Sequence, residues 1–531
     1  MASCRIFLFL LIPFFGFSQT INRYFVSFKD KSNTPYSIAS PTQFLSSKSI
    51  DRRNKEGFAT SSEDLPVDPN YVAQVKATGA SVYFSSRWFN GVLVQMDTSL
   101  ESAVSSLSCV SKLELVAYGK KLLNGRMGEL KSASSSSTLD NQPQLQMLGL
   151  DQMNSMGYRG EGVDVAIFDA GFIGVNTTVP FQHLYNEARI REVKNYVENS
   201  SDVYSAYFHG TEVLSIMAGY DAGKYEGGVY KANYYLYQTE DVSSEYRVEE
   251  YNWLFAAERA DSAGVEVVNS SLGYNTFDDS NMDYSYQDMD GKTSVIARAA
   301  TKLLERGVSV VVAVGNEGGN SWHYLLTPAD ARGVLAIGSV DISLSKSLFS
   351  SFGPSADGRI KPDVVAMGSG TVVIQTDGTV GTNSGTSLAT PLVACLATGL
   401  RQLFPKASQK AIFDLIIGSA SLSDSPNNDL GYGVPNFIGA KRLYEIPDEF
   451  TVYPNPLVNE YLKVFFKNPE GQDVKIEIYD TAGKQVLQDE MSINWESNPI
   501  FVSFSSTSGA GIYFLRIQTP SSIKTIKIIK L

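Results

Sequence analysis

Four short stretches of this chain hold side chains suited to breaking an acyl bond. In Gly385-Thr-Ser-Leu-Ala-Thr-Pro391 a serine, Ser387, stands among small residues, and the spacing that follows predicts a helix over Leu388–Phe404. Backbone N–H groups in a first helical turn lack intrahelical acceptors, and the helix dipole favours negative charge at that end. A hydroxyl nucleophile and a place for a developing oxyanion would then lie side by side. His209 opens the stretch His209-Gly-Thr-Glu-Val-Leu-Ser-Ile-Met-Ala-Gly219, in which Val213, Ile216 and Met217 have helical spacing. Its imidazole is a candidate general base at a helix start. Asp169 closes the apolar run Val163–Phe168 and precedes Ala170-Gly171, and Asn316 follows Gly315 where the run Val311–Val314 breaks. Its side-chain amide is a candidate hydrogen-bond donor to an oxyanion. Taken one at a time, each residue also has an ordinary use: a Ser or Thr cap, a capping or buried histidine, a turn Asp, a turn Asn. Of the other two histidines, His183 and His323 sit in polar or aromatic loop contexts that suit surface or packing roles.

The elements that must position these residues read as an α/β domain from about Leu145 to Tyr444. Val163–Phe168, Val265–Asn269, Val308–Val314 and Val334–Val340 are short β-branched runs, as in strands of a parallel sheet covered on both faces. Helical candidates, including Glu249–Ala263 and Val295–Arg306, alternate with them. An open, doubly wound, mostly parallel sheet places its site at the carboxyl ends of the strands. A carboxylate ending a strand, as Asp169 does, faces that crevice.

Together the motifs resemble the subtilisin-like serine proteases, or subtilases. The resemblance implies catalytic Asp169, His209 and Ser387 in the family's Asp…His…Ser order, with Asn316 in the oxyanion hole. Supporting stretches are Val268-Asn-Ser-Ser-Leu-Gly273, Phe349-Ser-Ser-Phe-Gly-Pro354 and Lys361-Pro-Asp-Val-Val-Ala366. It also implies that Ser271, Leu272 and Gly273, with Ala313, Val314 and Gly315, bind a protein or peptide substrate. No cofactor is needed for the chemistry; structural calcium, common in the family, has no assignable ligands here, and the Asp278–Asp283 run reads as a solvated loop. Two positions depart from the family pattern: Ala170 stands where Ser or Thr usually follows the Asp, and Glu212 where a second His is usual. The alternative is a catalytically silent surface or adhesive protein on a subtilase scaffold, against which the four intact residues speak. An esterase of another fold would carry a Gly-x-Ser-x-Gly elbow, and Ser387 does not.

The rest of the chain divides around that domain. At 531 residues roughly three or four domains are expected. Residues 1–18 carry Arg5, an apolar run Ile6–Phe15 and small residues Gly16 and Ser18 before Gln19, the pattern of a signal peptide. Residues 19–120 read as a small α+β domain: strand Arg23–Phe28, helix Tyr71–Thr78, two strands around Asn90-Gly91, helix Leu100–Leu107. Its place matches that of a subtilase propeptide, implying an intramolecular inhibitor. Residues 121–144 include the Ser-rich stretch Lys131–Thr138 and read as a cleavable linker, with the cut expected between Lys120 and Asp140. From 448 to 531 the period becomes two, in Val474–Tyr479, Lys484–Leu487, Gly511–Ile517 and Ile523–Ile528, predicting a small β-sandwich. Tyr453-Pro-Asn-Pro456, Ile478-Tyr-Asp-Thr-Ala-Gly483 and the terminal Lys527-Ile-Ile-Lys-Leu531 resemble a type IX secretion sorting domain. That resemblance implies export by way of the periplasm and the outer-membrane secretion machinery. The net charge of −12 excludes an ordinary nucleic-acid binder, which needs a basic face. Once Cys4 leaves with the signal, Cys109 and Cys395 remain, so the fold must rest on its core rather than on disulfides.

Overall fold

The computed structural model describes residues 20–119, 139–445, 450–458, 461–466, 471–493, 497–504 and 509–531. The expected signal peptide and the Ser-rich linker lie outside them.

The chain forms two compact units. The first draws on residues up to Ile38, on Ser61–Asn124 and on Tyr246–Val248. It is an antiparallel sheet in the order Ser81–Ser86, Gly91–Asp97, Ile21–Phe28, Val110–Ala117. Tyr24, Val26, Val75, Val92, Val94 and Val104 form its core, and Pro69–Ala77 is its longer helix. The helix expected over Leu100–Leu107 shortens to Glu101–Ser105. Cys109 is buried and unpaired.

The second unit comprises Ala39–Thr60, Gly125–Glu245 and Glu249–Leu531. Its centre is a seven-stranded sheet in the order Val364–Met367, Leu335–Val340, Ser309–Ala313, Val267–Ser270, Asp164–Asp169, Asn233–Gln238, Ile190–Asn195. Every neighbouring pair is parallel, as the β-branched runs predict. The chain enters at Asp164–Asp169, crosses to the edge strand Ile190–Asn195, fills in Asn233–Gln238 between them, then builds outward on the other side. The reversal falls between Asp164–Asp169 and Val267–Ser270, and a doubly wound sheet opens its crevice at such a point. The strands Asn233–Gln238 and Ile190–Asn195 are absent from the hydropathy reading; the first is tyrosine-rich, yet all six of its residues are buried.

Thr386–Leu403 is a helix of 18 residues, buried from Thr386 to Arg401. Cys395 lies in its packed core without a disulfide partner. The helix begins two residues earlier than the spacing predicts. Asn316 supplies the reason: its Oδ1 accepts from the Thr386 N–H at 2.9 Å and the Thr386 hydroxyl at 3.0 Å, capping the helix from another strand's end.

The carboxyl-terminal strands form two sheets, Phe450–Tyr453, Tyr461–Phe466, Ile500–Ser503 and Gln485–Ile493, Gln472–Asp480, Gly511–Gln518, Ile523–Lys530. Phe466, Leu462, Ile476, Ile478, Leu515 and Ile517 share one core between them, the sandwich the period-two pattern predicts. The strand expected over Lys484–Leu487 runs on to Ile493. No helix of the described residues is long and apolar enough to cross a membrane.

Candidate active site

Asp169 is the last residue of the Asp164–Asp169 strand and is fully buried. His209 is the first residue of the helix His209–Ala218. Its Nδ1 lies 2.8 Å from Asp169 Oδ1, which also accepts the Ala170 N–H at 2.7 Å. The close approach of these two elements depends on Gly210, where a Cβ would stand 2.5 Å from the Gly171 carbonyl oxygen. Asp169 Oδ2 is buried with no hydrogen-bond partner among the described residues; Ala170 brings no hydroxyl to it. Burial works against a charged imidazole, but the charge and hydrogen bond of Asp169 outweigh it. With further help from Glu212 and Glu240, they hold the His209 pKa above its ordinary value.

Ser387 occupies the first turn of its helix, where its N–H has no intrahelical acceptor. Gly385 marks the point at which Ser387 and Asn316 converge. A Cβ added there would lie 2.8 Å from Ser387 Oγ and 3.8 Å from both the Ser387 N–H nitrogen and Asn316 Nδ2. Because the Asn316 carbonyl oxygen is committed to Thr386, its amide nitrogen faces outward as a donor from an exposed side chain.

A second device holds the serine turn in place. Pro391 lies inside the helix and, lacking an N–H, cannot bond the carbonyl four residues before it. That carbonyl belongs to Ser387, and the Ser271 hydroxyl donates to it at 2.8 Å. Asn269 Nδ2 in turn donates to Ser271 Oγ at 3.1 Å. A proline that would weaken an isolated helix thus leaves the Ser387 turn tethered to the neighbouring strand. The sequence signal was Thr390-Pro391, legible only once its partner was known.

One cleft of about 310 Å³ gathers His209, Ser387, Asn316, Ser271, Leu272, Gly273, Ala313 and Gly315. Of the expected substrate-binding residues, Val314 alone is not in its lining. Its side chain is fully buried, its N–H bonds the Ile337 carbonyl, and its carbonyl accepts from Leu326. His183 packs on the rings of Tyr220 and Tyr230, and His323 stacks on Phe352. Neither borders the cleft.

The reading by motif missed an acidic corner of the same cleft. Glu240, Glu245 and Glu249 line it together with Asp241, and their carboxylate oxygens come within 4.8 Å of one another. The charges at 240, 241, 245 and 249 were visible in sequence, but nothing there showed that they converge. Burial raises all three carboxyls, with added repulsion from Asp169 and Asp241 at Glu240 and from Glu240 and Asp241 at the other two; Glu240 is pushed up to about 7 and Glu245 to about 8. Carboxylates this close could together hold a metal ion. Glu240 already accepts from Tyr274 and Thr239, and Glu249 from the Asp241 N–H. The Asp278–Asp283 loop spends its carboxylates on its own backbone and that of Glu245.

Glu212 has a bracing role. It is buried in the histidine helix and accepts from Gln375 Nε2 at 3.1 Å and Asn383 Nδ2 at 2.8 Å. It therefore ties that helix to the hairpin Thr371–Ile374/Val380–Asn383, two residues short of Gly385. Burial raises its pKa.

A parallel sheet with Asp, His and Ser assembled at its topological switch point defines a subtilisin-like hydrolase fold. The sequence model of the subtilase family matches residues 160–433, and the chain belongs to that family. Residues 23–136 match the peptidase S8 propeptide domain of Bacteroidota, and 451–531 a secretion system C-terminal sorting domain. Among similar proteins, the human membrane-bound transcription factor site-1 protease is 30% identical over 57% of this chain and 27% of its own length. Subtilisin E of Bacillus subtilis is 27% identical over 51% of this chain and 63% of its own. Serine protease AprX of the same organism is 26% identical over 53% of this chain and 67% of its own. The matches to the site-1 protease and subtilisin E thus span less than two thirds of those proteins.

Proposed function

We propose that this chain is a secreted serine endopeptidase, made as a precursor and exported through a type IX route. The observation that carries the reading is the 2.8 Å contact of His209 with buried Asp169 in a cleft shared with Ser387 and Asn316. His209 Nε2 takes the Ser387 proton as Oγ attacks a peptide carbonyl, then delivers it to the leaving amine; water repeats the sequence on the acyl-enzyme. Asp169 fixes the tautomer with Nδ1–H toward itself and stabilises the imidazolium. The Ser387 N–H and Asn316 Nδ2 stabilise the tetrahedral oxyanion. The backbone of Ser271–Gly273 pairs with an extended substrate as an added strand. The amino-terminal domain serves as an intramolecular inhibitor until the linker is cut, and the carboxyl-terminal sandwich is read by the outer-membrane secretion machinery.

The test is a fluorophosphonate probe with mapping of the adduct. Covalent labelling at Ser387, with peptide hydrolysis that disappears in Ser387→Ala, is the expected result. A folded, secreted protein that takes no label would return the scaffold to a silent role.

A further inference from the structure

The helix Ser47–Lys55 belongs by sequence to the propeptide match but folds with the second unit. It lies across the amino ends of three adjacent sheet strands. Arg52 donates to the carbonyls of Asp261, Val265 and Arg306, at 3.2, 2.5 and 2.9 Å, and to Asp261 Oδ1 at 2.5 Å. Arg53 takes the other oxygen of Asp261 at 2.6 Å. Asp261 sits in the last turn of the helix Val248–Ala263, and the Arg306 carbonyl follows the helix Val295–Glu305. Carbonyls at helix ends have no partners of their own, and the dipole there favours cations. Two helix ends and a carboxylate thus form a seat for guanidinium groups.

The seat is also shaped for this segment. A Cβ at Gly307 would stand 2.2 Å from Glu56 Cγ, and one at Gly264 would stand 2.7 Å from Lys48 Cβ. Glu56 reaches the N-terminus of the helix Gln409–Gly418, accepting the Gln409 N–H at 2.9 Å, and pairs with buried Arg401 at 3.3 Å. Phe58 lies under the guanidiniums of Arg53 and Arg306. Asp169 and His209 lie at the opposite, carboxyl end of the sheet, and six strand residues separate the two ends by roughly 20 Å.

We infer that residues 46–58 are a docking segment for the amino edge of the chain's own catalytic sheet, an attachment of the propeptide region independent of the cleft. Cutting the linker leaves this attachment intact, so the cut amino-terminal fragment stays on the enzyme until the arginine seat lets go. The inference rests on the reading of this region as a removable propeptide and does not require that it inhibit.

The test uses the full chain. Ser387→Ala protein is cut in the linker with a trace of added protease, and retention of the amino-terminal fragment is followed by native size exclusion and mass spectrometry. With the natural seat the fragment co-elutes. With Arg52→Gln and Arg53→Gln it is expected to leave at least tenfold faster, and equal retention overturns the inference. If the double variant does not fold, a peptide spanning residues 46–58 is added to the cut natural-seat protein. Acceleration of fragment loss supports the seat, provided the same peptide with both arginines replaced does nothing; no acceleration overturns it. Inhibition is scored separately, on the active enzyme. A held fragment with full hydrolysis sinks the inhibitor reading alone, and a fragment that leaves at once sinks the docking segment alone.

Discussion

Asp169 and Asp261 are both fully buried carboxylates of the same α/β unit, one at each end of its sheet, and they are treated in opposite ways. Asp261 has each oxygen bonded to an arginine. Asp169 has one oxygen shared between His209 and the Ala170 N–H and the other unpartnered. A saturated carboxylate holds elements together. An under-satisfied one beside a histidine keeps electrostatic attraction available for an imidazolium that exists only part of the time. The difference distinguishes the two carboxylates more clearly than burial or charge does.

The comparison breaks most severely at Asp169. Asp169→Asn removes the charge and inverts the tautomer preference of His209, so kcat is expected to fall by about 10⁴ with the thermal midpoint little changed. It should also drop the His209 pKa from its raised position. The acid limb of kcat/KM, which follows loss of neutral imidazole as pH falls, therefore moves to lower pH, and stopped assays across pH would show it. An unchanged acid limb would mean that Asp169 does not set the histidine's titration.

Asp261→Ala asks the converse. It strands two buried guanidiniums, and breaking such a network by removing one partner costs about 3–5 kcal/mol. Denaturant unfolding of the Ser387→Ala precursor should register that loss. Loss of less than about 1 kcal/mol, as at an exposed pair, would show that Asp261 is not the keystone of the seat. Asn316→Ala comes next, with a fall in kcat of about 10²–10³, the loss known for a subtilisin oxyanion amide. Because Asn316 also caps Thr386, a parallel drop in thermal midpoint is expected, and Asn316→Asp, which keeps the acceptor but not the donor, should lose the rate while restoring the midpoint.

The two ends of the sheet were unequally legible in sequence. Asp169 and Asn316 sit where an apolar run stops, and His209 and Ser387 where a helical pattern starts, so periodicity and chemistry marked the same positions. The docking helix Ser47-Lys-Ser-Ile-Asp-Arg-Arg-Asn-Lys55 has no apolar stripe, because the face it buries is made of Arg52 and Arg53. A reading that follows apolar spacing passes over such a helix. The strand Asn233–Gln238 was obscured for a related reason, since tyrosines and terminal amides are buried there in place of aliphatics. The Ser271–Pro391 relation pairs a hydroxyl with a missing N–H 120 residues on, and no local pattern announces it.

The acidic corner of the cleft sharpens the comparison from a third side, since its three carboxylates lie within 4.8 Å of one another. Glu240, Glu245 and Glu249 all titrate above the ordinary carboxyl range, burial being the largest cause. Between the unfolded value near 4.3 and these raised values the folded chain holds more protons than the unfolded one, so stability is lost as pH rises through that window. Glu249→Gln keeps the shape of the protonated acid and its acceptor for the Asp241 N–H while removing the charge. The variant should gain a few degrees of thermal midpoint over wild type at about pH 8 and next to nothing at about pH 4. A scanning-calorimetry series over that range, run on Ser387→Ala to prevent self-digestion, reads the difference directly. An equal shift at both ends would mean that packing, not the unmet charge, separates this corner from Asp261.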